Sequence, residues 1–135
     1  MHYIGSFSGP YRFLSNFYIE PDGTHVEGEY QASKALNPID ADFLRRTNHA
    51  KAKKVGQKIP MRPGWEEHKL DIMFRLVQKK FDDHRSLAEM LLDTGDAILE
   101  EGNWWNDTFW GVCNGVGHNH LGKILMRVRE DTIPF

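Results

Sequence analysis

The spacing of apolar positions changes period several times along the chain, and each change predicts an element. The clearest run is residues 65–81, where Trp65, Lys69, Met73, Leu76/Val77 and Phe81 recur at helical steps and Leu70 and Ile72 widen the stripe. HVEGEYQASKAL, residues 25–36, has the same spacing until Asn37-Pro38 stops it. Residues 41–48 and 50–58 read as two short helices. Ser86 with Glu89 has capping-box spacing and predicts a helix over residues 87–93, before a T-G-D turn. Asn119 is placed to cap a last helix with Leu121, Ile124, Leu125 and Val128 on one side.

Shorter stretches look extended: YIGSF and FLSNFYI on either side of the S-G-P turn, then AILEE and FWGVCN. No internal repeat, low-complexity tract or linker divides the chain. The expectation is one domain over residues 1–135, a compact, mainly helical α+β fold with a few short strands.

With 135 residues, 40% of them hydrophobic and 27% charged, the chain can bury one core of ordinary composition. The start, MHYIGSFSGPYRF, lacks the basic and apolar regions of a signal peptide. No stretch approaches the roughly 20 apolar residues of a membrane span. Cys113 is the single cysteine, so an internal disulfide and a cysteine-rich zinc site are excluded. A cytoplasmic protein without a membrane partner is expected.

The net charge of −2 hides a one-signed strip. Arg45, Arg46, Lys51, Lys53, Lys54, Lys58 and Arg62 follow one another with no acid between them. Such a strip is either a solvated helical face or a surface that attracts phosphates, including those of nucleic acid.

Candidate chemistry sits elsewhere. NWWNDTFWG, residues 103–111, holds three of the four tryptophans around one carboxylate, Asp107. Glu27, Gln31 and Lys34 share a helical face beside Tyr30, either as a grip for sugar or phosphate or as a solvated row. GVGHNHLG, residues 115–122, runs a Gly-x-Gly turn into a helix start, where free amides attract anions, though a plain left-handed turn reads as well. His118 and His120 lack further metal ligands nearby, and Cys113 reads as a buried thiol. Together, carboxylates, aromatic faces and anion-binding groups suit a nucleotide-like ligand.

The motifs occur in an order that resembles the NADAR family, the YbiA-like proteins. Phe13-Leu14-Ser15-Asn16-Phe17 comes first, then Glu27 with Tyr30-Gln31-Ala32-Ser33-Lys34. Arg62, Trp65, Met73, Lys80-Phe81, Thr94-Gly95 and Leu99-Glu100-Glu101 follow. Asp107-Thr108-Phe109-Trp110-Gly111 and Gly117-His118-Asn119-His120-Leu121-Gly122, with Leu125-Met126 and Arg129, complete the series.

The resemblance implies an N-glycosidase that needs no metal or cofactor. Its substrates would be ribosylated intermediates of riboflavin synthesis or N-linked ADP-ribose conjugates, including ADP-ribosylated guanine in nucleic acid. It implies Glu27, Asp107 and Trp65 as the catalytic set. Ser15, Asn16, Tyr30, Gln31, Lys34, Arg62, Trp110, Gly117 and Asn119 would hold substrate. Trp110 would pack behind Asp107, and of Trp104 and Trp105 one would be core and one pocket wall. Many relatives carry His directly after the motif Glu, where this chain has Gly28; His25 and His118 are the candidates to replace it in space. That departure keeps open a non-catalytic module binding ADP-ribose or a nucleotide. A third reading is a phosphate-backbone binder acting through the basic strip.

Overall fold

The computed structural model describes residues 2–134, as a mainly helical α+β chain in two units. One unit is formed by the residues up to Ser15 with those from Val77 onward, and the other is Asn16–Leu76.

In Asn16–Leu76, α1 (Val26–Lys34) packs against α2 (Pro38–Arg46) and α3 (His49–Gly56), and α4 (Trp65–Asp83) begins. The core joining the first three is small: Ala32, Ala35, Leu44 and Ala52, flanked by Ala41, Val55 and Ile59. Alanines let the helix backbones come close, so few methyl groups close the core. Asn37-Pro38 ends one helix and starts the next. The Asn37 carboxamide accepts the Ile39 N–H at 2.7 Å, and Pro38 takes the first helical position, where a missing N–H costs nothing. Asn48 caps α3 in the same way through the Lys51 N–H. The segment before α4 pairs back onto the end of α1, with Leu36 N–H bonded to Pro60 O and Arg62 N–H to Lys34 O.

The other unit holds a 3₁₀ turn (Gly9–Leu14), the end of α4, α5 (Arg85–Asp93) and α6 (His120–Asp131). Two parallel ladders join them: β1 (Tyr3–Ile4) with β2 (Ile98–Leu99), and β3 (Gly102–Asn103) with β4 (Val112–Cys113). Helix α6 lies on β2 and α5 and buries Leu121, Leu125 and Val128, each contributing about 1.5–3 kcal/mol by leaving water. Ile124, expected on the same side, is half-buried. Cys113 is a buried free thiol.

Three expectations need correction. Residues 13–19 are not a strand. Gly9 at φ +55° followed by Pro10 starts the 3₁₀ turn, and Phe13 and Leu14 are buried side by side instead of alternating. Ser86 does not cap α5, because the helix begins earlier, and Glu89 pairs with Arg85 at 3.1 Å. Asn119 does precede α6, but with φ +53° and no capping bond. Its carboxamide instead donates to Leu99 O and accepts from Glu101 N–H, both at 3.0 Å.

Gly122 is the partner of that clamp. A Cβ there would lie 2.1 Å from the Leu99 carbonyl oxygen and 2.4 Å from the Asn119 amide nitrogen. Backbone cannot step aside as a flexible side-chain end can. Gly122→Ala should therefore cost about 1–3 kcal/mol or more of stability, read as a lower urea midpoint at unchanged m-value.

Candidate active site

Within Asn16–Leu76, the Glu27 row is not a solvated face. Glu27 and Gln31 are only 7% and 5% exposed, and the Gln31 Nε2 donates to Glu27 Oε1 at 3.0 Å. The N-terminus of α1 holds this acid in place. Glu27 N–H bonds the Asn16 carbonyl at 3.0 Å, which ties the S-N step to the carboxylate's own residue. The Asn16 side chain is buried and donates to the Met73 sulfur.

Lys34, two turns along the same helix, is half-buried. Loss of water pushes its pKa below the ordinary 10.5, and attraction to Glu27 and Glu66 works against that shift. Lys69 repels it further and is itself paired with Glu66 at 2.5 Å. Lys34 therefore stands within the field of two acids, Glu27 and Glu66, and a second amine, Lys69. Arg62, exposed, joins them by its backbone bond to Lys34.

Tyr30 and Trp65 are buried, with ring centroids 5.1 Å apart and tilted by 55°. Trp65 is thus packed against Tyr30 and offers no open stacking face.

Gly28 has a structural cause. The His25 ring fills the space that its side chain would need: a Cβ would stand 2.6 Å from His25 Cε1 and 3.1 Å from the Leu44 carbonyl oxygen. His25 caps α1, its Nδ1 accepting the Gly28 N–H at 2.9 Å while Nε2 meets Thr47 O at 3.0 Å. With both nitrogens on backbone groups, His25 fills the space beside Gly28 but has no free proton donor or acceptor.

Asp107 belongs to the other unit, as do Ser15, Trp110, Gly117 and Asn119. Its Oδ1 accepts the N–H groups of Phe109 at 3.2 Å and Trp110 at 3.0 Å. The backbone N–H of Trp110 is one of the groups that hold the acid, and its ring meets Phe109 edge-on at 4.8 Å. Ser15 is anchored through its carbonyl, which accepts from the buried Lys80 Nζ at 3.0 Å.

The amides around the expected anion cradle at residues 115–119 are largely engaged, Val116 N–H donating to Cys113 O. The amides of His118, Asn119, His120 and Leu121 already donate to the carbonyls of Thr108, Gly111, Phe109 and Trp110. Asn119's side chain is committed to β2 and Glu101, and Gly117 is required because a Cβ would fall 2.2 Å from Gly111 O. These residues are scaffold for the Asp107 segment.

The tryptophan expectation also fails. Trp104 is 86% exposed and Trp105 is exposed as well, so neither is core; their rings meet edge to face at 5.5 Å. His118 and His120 stack on each other at 5.4 Å, with Phe109 against His120. Sequence reading did not anticipate that His25 caps α1 and meets Thr47, that Lys80 holds the Ser15 carbonyl, or that Asn119 clamps Leu99 and Glu101.

Two outcomes follow from this geometry. Gly28→His should lower the melting temperature and leave turnover no higher than wild type, because the ring has no space between His25 and Leu44. For Lys34, the unfolded chain holds the proton more tightly, so folding stability should rise with pH as it approaches 10.5. Urea unfolding of wild type against Lys34→Met across that range checks it, since the variant should lack this part of the slope.

A family model of the NADAR domain matches residues 3–132. The N-glycosidase Npun_R5314 of Nostoc punctiforme is 38% identical over 90% of this chain and 86% of its own. The chloroplastic riboflavin biosynthesis protein PYRR of Zea mays is 33% identical over 80% of this chain, which spans only 19% of that longer protein. The NMR structure of the Escherichia coli protein YbiA superposes with a TM-score of 0.80 at 33% identity, covering 96% of this chain and 87% of YbiA. The chain therefore belongs to the NADAR family, and it is an enzyme of the N-glycosidase kind that its relatives represent.

Proposed function

We propose that this enzyme hydrolyses the C1′–N bond of a nucleotide-like substrate. The substrate is a base or amine carried on ADP-ribose, such as ADP-ribosylated guanine free or in nucleic acid, or a ribosylamino-pyrimidine intermediate of riboflavin synthesis. The observation that carries this reading is the buried Glu27 carboxylate, oriented by Gln31 and set beside Lys34.

Breaking C1′–N leaves positive charge on the ribose ring, and a fixed carboxylate in a water-poor site stabilises it more than water does. Glu27 takes that role and the ribose hydroxyls. Asp107 does the acid/base work. The C1′–N electron pair leaves with the nitrogen, which takes up a proton; the water oxygen bonds to C1′ and gives up a proton to a carboxylate. Trp65 closes the wall behind Glu27. Ser15, Asn16, Tyr30, Gln31, Lys34, Arg62 and Trp110 serve the substrate's hydroxyls, phosphates and base. Gly117 and Asn119 act by holding the segment that carries Asp107.

The riboflavin branch is supported by the name of the maize relative. The nucleic-acid branch has the basic strip as a backbone contact, although Glu29 pairs Arg45 at 3.2 Å and Asp42 pairs Arg46 at 3.0 Å. The family match spans both units, which supports one domain, and the enzyme acts in the cytoplasm.

The test is a chromatographic turnover assay with ADP-ribosylated guanosine, the same adduct in DNA, and the ribosylated pyrimidine intermediates. Wild type should release free base or amine from one class. Glu27→Ala and Asp107→Asn should each lower kcat by about 100-fold or more, as loss of electrostatic or acid/base catalysis does. Tight ADP-ribose binding with no turnover of any substrate would identify a binding module instead.

A further inference from the structure

We propose that Asn103 is the positioning residue for Asp107. Its carboxamide grips the Asp107 peptide on both sides and so fixes where the carboxylate stands. This rests on the acid/base reading of Asp107.

The Asn103 Nδ2 donates to Asp107 O at 2.9 Å, and its Oδ1 accepts the Asp107 N–H at 3.0 Å. A side chain thus pairs with a peptide four residues ahead much as a neighbouring strand would. The same nitrogen also donates to Glu101 Oε2 at 3.0 Å. Asn103 itself stands on β3, in register with Cys113 of β4, so the grip starts from a hydrogen-bonded ladder and not from the loop it closes.

Residues 104–106 complete the loop, with Asn106 in the left-handed region at φ +65°. Little packing is available to hold it, because Trp104 at its tip is almost wholly in solvent. The polar grip is therefore what sets the loop's shape.

The consequence reaches the carboxylate itself. Its Oδ1 is committed to the Phe109 and Trp110 amides, and Oδ2 has no partner among the described residues. One oxygen locked and one open is the arrangement of an oriented acid or base. Only a side chain carrying donor and acceptor at this length can make both bonds to the Asp107 peptide. Aspartate would lose the donors and face Glu101, and leucine or alanine would lose both ends.

The test combines kinetics with amide exchange on the full chain. With the substrate turned over in the assay above, Asn103→Ala should lower kcat by about 10–100-fold while KM stays within about twofold, the mark of misplaced chemistry rather than lost binding. Added to Asp107→Asn, it should cause no further loss, since both act on one group. By NMR, the wild-type Asp107 N–H should be protected from exchange, and Asn103→Ala should expose it. An inactive Asp107→Asn beside an Asn103→Ala enzyme of unchanged kcat would overturn this proposal alone. Full turnover by Asp107→Asn would instead sink the acid/base reading and the proposal with it. An unprotected Asp107 amide in wild type overturns the grip without any variant that must fold.

Discussion

The carbonyls of Thr108, Phe109, Trp110 and Gly111 and the leading amides of the last helix need one another. A helix start leaves N–H groups without partners, and a loop with no strand beside it leaves carbonyls without partners. Here the two shortages cancel: His118, His120, Leu121 and Asn119 donate to those four carbonyls in turn. The Asp107 segment is therefore as fixed as the helix it joins. The motif glycines follow from the closeness this demands, since a Cβ at Gly111 would strike Glu101 at 1.8 Å and one at Gly117 would strike Gly111 O at 2.2 Å.

The Glu27 residue is held by a comparable economy in the other unit. Its amide is bonded to Asn16, its carboxylate to Gln31, and the helix it begins is capped by His25. His25 explains why the following position is glycine. A histidine three residues upstream has taken the space, and both its ring nitrogens serve backbone groups. Two acids are thus presented by opposite means: Glu27 from the first turn of a helix, Asp107 from a loop tied at both ends.

Much of the helical framework was legible because its cause is periodic. The apolar stripe of residues 65–81 gave α4 nearly whole, and Asn37-Pro38 marked a boundary, although one that starts α2 as well as ending α1. The errors fell where burial is not periodic. Phe13 and Leu14 are adjacent and both buried, which no alternating pattern anticipates, and the capping-box spacing of Ser86 and Glu89 served an ion pair to Arg85 instead. The motif residues Glu27, Asp107 and Trp65 were readable by their order. That Trp104 stands in solvent was not.

Sequence alone determined which residue types recur in order, the family they spell, and the helices whose apolar faces repeat every three to four residues. Those are local or one-dimensional properties of the chain. Tertiary structure decided what each polar group is bonded to. Asn119, Asn103, His25 and Lys80 all look like candidates for ligand or solvent, and each instead satisfies backbone groups. The reason is that a buried peptide group must find a partner wherever the fold supplies one. That partner is set by distance in space, which the order of residues does not record.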